Sequence, residues 1–240
     1  MAYFSILPAG SFARGPAPDE DALVALPLIG AVIGALAGLA ALGLARIVPN
    51  VPHPLPAALA LCVLVVASGA IHLDGFLDGC DAFFASVSPS ARRAILKDPH
   101  RGSFALAGLL CAGATWFAAL LALPMAAYPA TLAFGGALAR AAAVANAFAF
   151  PDPRRGRPAI TPSALIAVAL VAAAFWIAPF ATLLVPAARA ASIGLGRWIA
   201  GRLDGVLPGD AYGFIIVVLE VAILAALVLV TSEGRSTAHG

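Results

Sequence analysis

Three aspartates fall within eight residues of the segment IHLDGFLDGCDAFF, residues 71–84. Asp74, Asp78 and Asp81 stand at i, i+4 and i+7, a spacing that places all three on one face of a helix over about two turns. Negative charges about 6 Å apart repel by roughly 3 kcal/mol at an effective dielectric of 20, so the stripe calls for protonation or a cation among the carboxylates. A divalent ion is the natural compensator. Oxygen ligands suit Mg²⁺, which keeps several waters and bridges to phosphates, better than zinc, which prefers nitrogen and sulfur. The plainer reading has the aspartates end a helix in water or pair with arginines downstream. Gly75 and Gly79 weigh against it, because each costs about 1 kcal/mol relative to alanine in a helix, and together they bare one side of it to a ligand or another backbone. His72 reads either as a ligand or proton-positioning group or as a local hydrogen bonder.

The next polar segment, ARRAILKDPHRGSF at residues 91–104, holds Arg92, Arg93, Lys97 and Arg101. Arginine forks match phosphate oxygens and lysine adds a compact charge. A metal-holding acidic helix joined to a basic loop is a minimal kit for transferring a phosphate-linked group, since that chemistry depends mainly on positioning and charge neutralisation. Taken alone, the basic loop has a simpler explanation in membrane topology.

Farther along, Arg140 lies inside an apolar stretch and is expected to pair with a carboxylate or a substrate phosphate, with Asn146 as a neighbour; snorkelling to the interface is the alternative. Asp210 reads as a metal ligand, an acceptor-binding group or an N-cap. Glu220, surrounded by IIVVLEVAILAALVLV, needs a buried partner or a proton. Arg154, Arg155 and Arg157 read as topology signals that also draw in anions.

The elements that must position these residues are membrane helices. The chain has 240 residues, 62% hydrophobic and 11% charged, whereas soluble domains carry about 25% charged residues. Spans of roughly 20 apolar residues are expected at about 22–46, 56–73, 104–123, 126–150 and 211–231. The stretch 164–200, interrupted by Pro179 and Pro186, reads as two more. This makes an all-α polytopic bundle of about seven spans in a single domain, 1–240, with the aspartate helix continuing from the second span. A six-span rival would put Asp210 on the face opposite the aspartates. The segments with Arg92 to Arg101, Arg154 to Arg157, and Arg197 with Arg202 alternate with turns nearly free of positive charge, which predicts a cytoplasmic amino terminus. No cleavable leader is expected. Three cysteines form no disulfide or zinc pattern, and a net charge of +2 without a basic stripe argues against nucleic acid.

The pair HLDGFLDGCDAFFA and RRAILKDPHRGSFAL resembles the signature of the cobalamin synthase family, integral-membrane adenosylcobinamide-GDP ribazoletransferases. YFSILP, LPLIGAVIGALAG, GALARAAAV and PGDAYGFIIVVLE agree in order, so the resemblance spans nearly the whole chain. It implies that α-ribazole or its 5'-phosphate is joined to adenosylcobinamide-GDP with release of GMP and with Mg²⁺ as cofactor. It also implies a multi-pass protein of the bacterial cytoplasmic (inner) membrane whose active site faces the cytoplasm. Mapped onto this chain, Asp74, Asp78 and Asp81 would hold metal and, with Lys97, form the catalytic set. His72, Arg92, Arg93, Arg101, Arg140, Asp210 and Glu220 would bind substrate and phosphate. Asp81 is alternatively a general base. The family more often has threonine where DGVLPGD has Pro208, which weakens the part given to Asp210. The partners implied are the two small substrates and the bilayer, with a homo-oligomer left open. A CDP-alcohol phosphotransferase and a cation or proton transporter using the carboxylates are the rival readings.

Overall fold

The computed structural model describes residues 20–150, 165–166, 169–170, 172–173 and 179–236. The described residues form α1 (Glu20–Ile47), α2 (Pro54–Ala67), α3 (Ile71–Phe84), α4 (Pro89–Ile95), α5 (Ser103–Ala122), α6 (Tyr128–Ala149), α7 (Leu184–Arg202) and α8 (Gly209–Ser236), with no strand among them. The all-α reading therefore holds.

Helix α6 lies at the centre, its span being 72% buried, whereas only 22% of the α5 span is buried. Lipid is as apolar as leucine, so close packing and polar pairing, rather than water exclusion, must hold such helices together. The chain answers with small residues. Gly30, Gly34 and Gly38 recur every fourth position on α1, and a Cβ on them would lie 2.3 Å from the Gly136 carbonyl oxygen, 2.1 Å from the Leu132 carbonyl oxygen and 2.4 Å from the Pro129 nitrogen. Backbones of α1 and α6 thus touch along three turns. The opposite side of α1 shows Leu28, Val32, Leu36 and Leu39, the surface a bilayer would cover.

One expectation is corrected. The span at 56–73 does not run on into the aspartate helix, because Gly69 and Ala70 both take positive φ, 64° and 56°, and α3 leaves α2 at 89°. Left-handed residues end a helix, and two in succession redirect the chain. The two 14-residue pieces are each about 21 Å long at 1.5 Å per residue, too short to cross a core of roughly 30 Å. Of the about seven spans expected, the described residues supply four helices long and apolar enough to cross a membrane, or five if the bent pair is one span. Helix α7 is not among them, since Arg189, Arg197 and Arg202 interrupt it. Most of the stretch expected to form the preceding span lies outside the described residues.

Candidate active site

Helix α3 presents the acid stripe at one end of the bundle. Asp74 is 62% exposed and Asp78 13%. Between them comes Arg101 from the loop before α5, its Nη2 paired with Asp74 and its Nη1 with Asp78. One planar fork therefore spans two carboxylates, a use for which arginine is better shaped than lysine. Within this loop Asp98 accepts the His100 backbone N–H at 2.9 Å. That bond and the one with the His100 ring hold the Asp98 carboxyl below its usual value.

Asp81 has a different task. Its Oδ2 accepts the Gly102 N–H at 2.6 Å and its Oδ1 the Ala105 N–H at 2.9 Å. The first N–H groups of a helix have no partner within it, and here a carboxylate from α3 supplies one for α5. A Cβ on Gly102 would lie 2.6 Å from Asp81 Oδ1, so any other residue there would push against the carboxylate that accepts these two N–H groups.

The glycines between the aspartates admit a backbone. A Cβ on Gly75 would stand 2.9 Å from the Asp210 carbonyl oxygen and 3.2 Å from the Gly213 Cα. This contact draws the start of α8 onto α3, and the partly buried Asp210 comes within electrostatic reach of both Asp74 and Arg101. Asp210 thus lies at the same end as the first aspartates. Beside it a cavity of about 170 Å³ is lined by Arg93, Lys97, Leu203, Val206 and Asp210 among others. Lys97 and Asp210 share one small cleft.

The remaining basic residues are largely engaged with the fold. Arg92 donates from Nε to the Ala82 carbonyl at 3.2 Å and from Nη2 to the Ala85 carbonyl at 2.7 Å, closing the end of α3, where carbonyls lack helical partners. Arg93 pairs with Asp204 at 2.9 Å and donates to the Leu203 carbonyl at 3.3 Å. Arg154, Arg155 and Arg157 lie outside the described residues.

Arg140 and Glu220 are placed inside the bundle, away from the stripe. Arg140 Nη1 donates to Glu220 Oε1 at 2.5 Å and to the Gly136 carbonyl at 2.9 Å. Each supplies the buried partner the other needed. His72 also faces inward, 6% exposed. Asn146 is not the neighbour of Arg140; its Nδ2 donates to Ser192 Oγ on α7 at 2.8 Å. Sequence reasoning passed over Asp204, Ser192 and the capping role of Asp81. Nothing local marks the first two, while the serine and glycine at the start of α5, following an acidic helix, were a usable signal for the third.

Among the described residues no three His, Cys, Asp or Glu side chains converge closely enough to hold a metal by themselves. The arrangement is instead a carboxylate face whose compensating charge is a guanidinium, with Asp210 beside it lining a cleft that Lys97 also lines.

Fold and site together define a polytopic α-helical membrane protein with an acid-and-base site at one end of its bundle. Residues 1–228 match the family described as Cobalamin-5-phosphate synthase, and the chain belongs to that family. It is 36% identical over 238 residues to the adenosylcobinamide-GDP ribazoletransferase of Deinococcus radiodurans, covering 90% of this chain and 76% of that one. It is 33% identical over 230 residues to the protein of the same name from Pseudomonas paraeruginosa, covering 89% and 90%. The similarity to that of Stutzerimonas stutzeri is 33% over 224 residues, again 89% and 90%. No solved structure matches.

Proposed function

We propose that this protein joins α-ribazole, or its 5'-phosphate, to adenosylcobinamide-GDP. A ribose ring hydroxyl of the ribazole, free in both the nucleoside and its 5'-phosphate, attacks the phosphorus bonded to the cobinamide side chain. The bond from that phosphorus to the bridging oxygen breaks, GMP leaves with the oxygen, and the hydroxyl proton passes to the carboxylate cluster. Adenosylcobalamin or its 5'-phosphate is formed.

The observation that carries this reading is the Arg101 fork on Asp74 and Asp78 with Asp210 alongside. Such a face suits Mg²⁺, because that ion is commonly held by one or two carboxylates and completes its shell with water and substrate phosphates. Asp74 and Asp78 would hold it, with Asp210 adding negative charge close by. When bound, the ion neutralises charge on the diphosphate. Arg101 and Lys97 bind the phosphoryl oxygens from the other side, and Asp81 shapes the site through the start of α5. The basic segment around this end favours a cytoplasm-facing site in the bacterial inner membrane.

Full-length protein in detergent, given adenosylcobinamide-GDP, α-ribazole and Mg²⁺, is expected to release GMP and to stop when a chelator is added. Ion flux in liposomes with no corrinoid product would instead establish a transporter. Release that continues unchanged in the chelator would remove the metal from this reading.

A further inference from the structure

The inner side of α3 faces polar groups that the proposed reaction does not use. His72 stands two residues before Asp74, so its side chain leaves the helix about 200° around the axis from that aspartate. Its Nε2 and the Nε of Arg140 are both buried without a hydrogen-bond partner among the described residues. These two residues line one cavity of about 20 Å³ together with Ser68, Trp116 and Glu220. His72 is 6%, Arg140 2% and Glu220 8% exposed.

Chemistry narrows the occupant. A cavity needs about 10–15 Å³ of this kind of volume, and two to four polar partners, to hold one water. The space suffices for that and for little more. An ion of either sign is disfavoured, because Arg140 and Glu220 already neutralise one another at 2.5 Å. Arginine Nε–H can only donate, whereas neutral imidazole nitrogen and carboxylate oxygen can accept. A water has one acceptor side and two O–H donors to match.

We propose that one buried water binds here, accepting from Arg140 Nε–H and donating to His72 Nε2 and to the Glu220 carboxylate, so that His72 is a positioning residue for the acidic helix. Through this water α3 is tied to α6 and α8 at a fixed rotation. That rotation decides where Asp74 and Asp78 face. The link matters because α3, cut from α2 by the bend at Gly69 and Ala70, is not held in register by a continuous helix.

A map of the full-length protein that shows ordered waters is expected to place one within hydrogen-bond distance of both His72 Nε2 and Arg140 Nε. A dry cavity, or a side chain bonded to His72 Nε2, overturns the proposal whatever the protein catalyses. The kinetic arm rests on the proposed reaction: His72→Leu is expected to lower kcat for GMP release ten- to hundredfold, roughly the cost of misplacing catalytic groups by a fraction of an ångström to one ångström. KM for adenosylcobinamide-GDP should stay within about twofold, and His72→Gln, with an amide at similar reach, should recover most of the rate. A wild-type rate in His72→Leu, or no recovery in His72→Gln, overturns the positioning role. If His72→Leu does not fold, His72→Gln decides alone: a near-normal kcat supports the role and a hundredfold loss refutes it. A wild-type protein that holds the water but releases no GMP sinks the proposed reaction and leaves the water site standing.

Discussion

Arg140 of α6 and Glu220 of α8, eighty residues apart in sequence, meet at 2.5 Å inside the bundle with 3% and 10% of their side chains exposed. Each charge would be strongly unfavourable there alone. Truncating either one to alanine is therefore expected to destabilise the protein by about 3–5 kcal/mol, while replacing both with leucine or methionine costs far less, since no lone charge remains. Denaturation midpoints in mixed micelles check this; single variants as stable as the wild type would show that the pair is not holding α6 to α8.

Asp78 and Asp81 lie three residues apart yet should fail in different ways. Asp78→Asn is expected to abolish GMP release with the protein still folded, because Asp78 faces Arg101 and the site. Asp81→Ala removes the acceptor for the Gly102 and Ala105 N–H groups, and a lost helix cap costs about 0.5–2 kcal/mol. Parallel assays of rate and thermal midpoint separate the two, and identical behaviour would contradict the division of labour.

Substitution at Arg101 tests the fork. Lysine keeps the charge but offers a single ammonium where two carboxylates are bridged, so Arg101→Lys is expected to lose a large part of kcat/KM and Arg101→Gln nearly all of it. Equal activity in Arg101→Lys and the wild type would mean that charge alone suffices.

Three glycines make a graded series. Gly34→Ala would set a Cβ 2.1 Å from the Leu132 carbonyl oxygen, and Gly75→Ala one 2.9 Å from the Asp210 carbonyl oxygen, whereas nothing lies within 4 Å of the position on Gly113. Gly34→Ala should part α1 from α6 and lower the melting temperature. Gly75→Ala should displace Asp210 and cut GMP release more than it cuts stability. Gly113→Ala is expected to be neutral or to stabilise by up to about 1 kcal/mol through helix propensity. A destabilised Gly113→Ala would show that the effect is not one of helix packing.

The acid stripe was legible in the residues themselves because its cause is local: a period of 3.6 puts positions 74, 78 and 81 on one face of any helix that contains them. Membrane residence was equally legible, since it follows from apolar content over windows of about 20 residues. The likeness of motifs along the chain pointed to the family that the comparison with known proteins then established. What the residues by themselves did not determine depends on distant parts of the chain. Alanine seldom takes positive φ, so Ala70 gave no warning of the 89° bend. The tasks of Asp81 and Arg92 depend on which helix end lies nearby, and Asp210 joins the site only because Gly75 and Gly213 let two backbones meet. Arg140 and Glu220 each announced the need for a partner, but only packing selected the one it has, because a buried charge specifies the sign of its neighbour and not its place in the sequence.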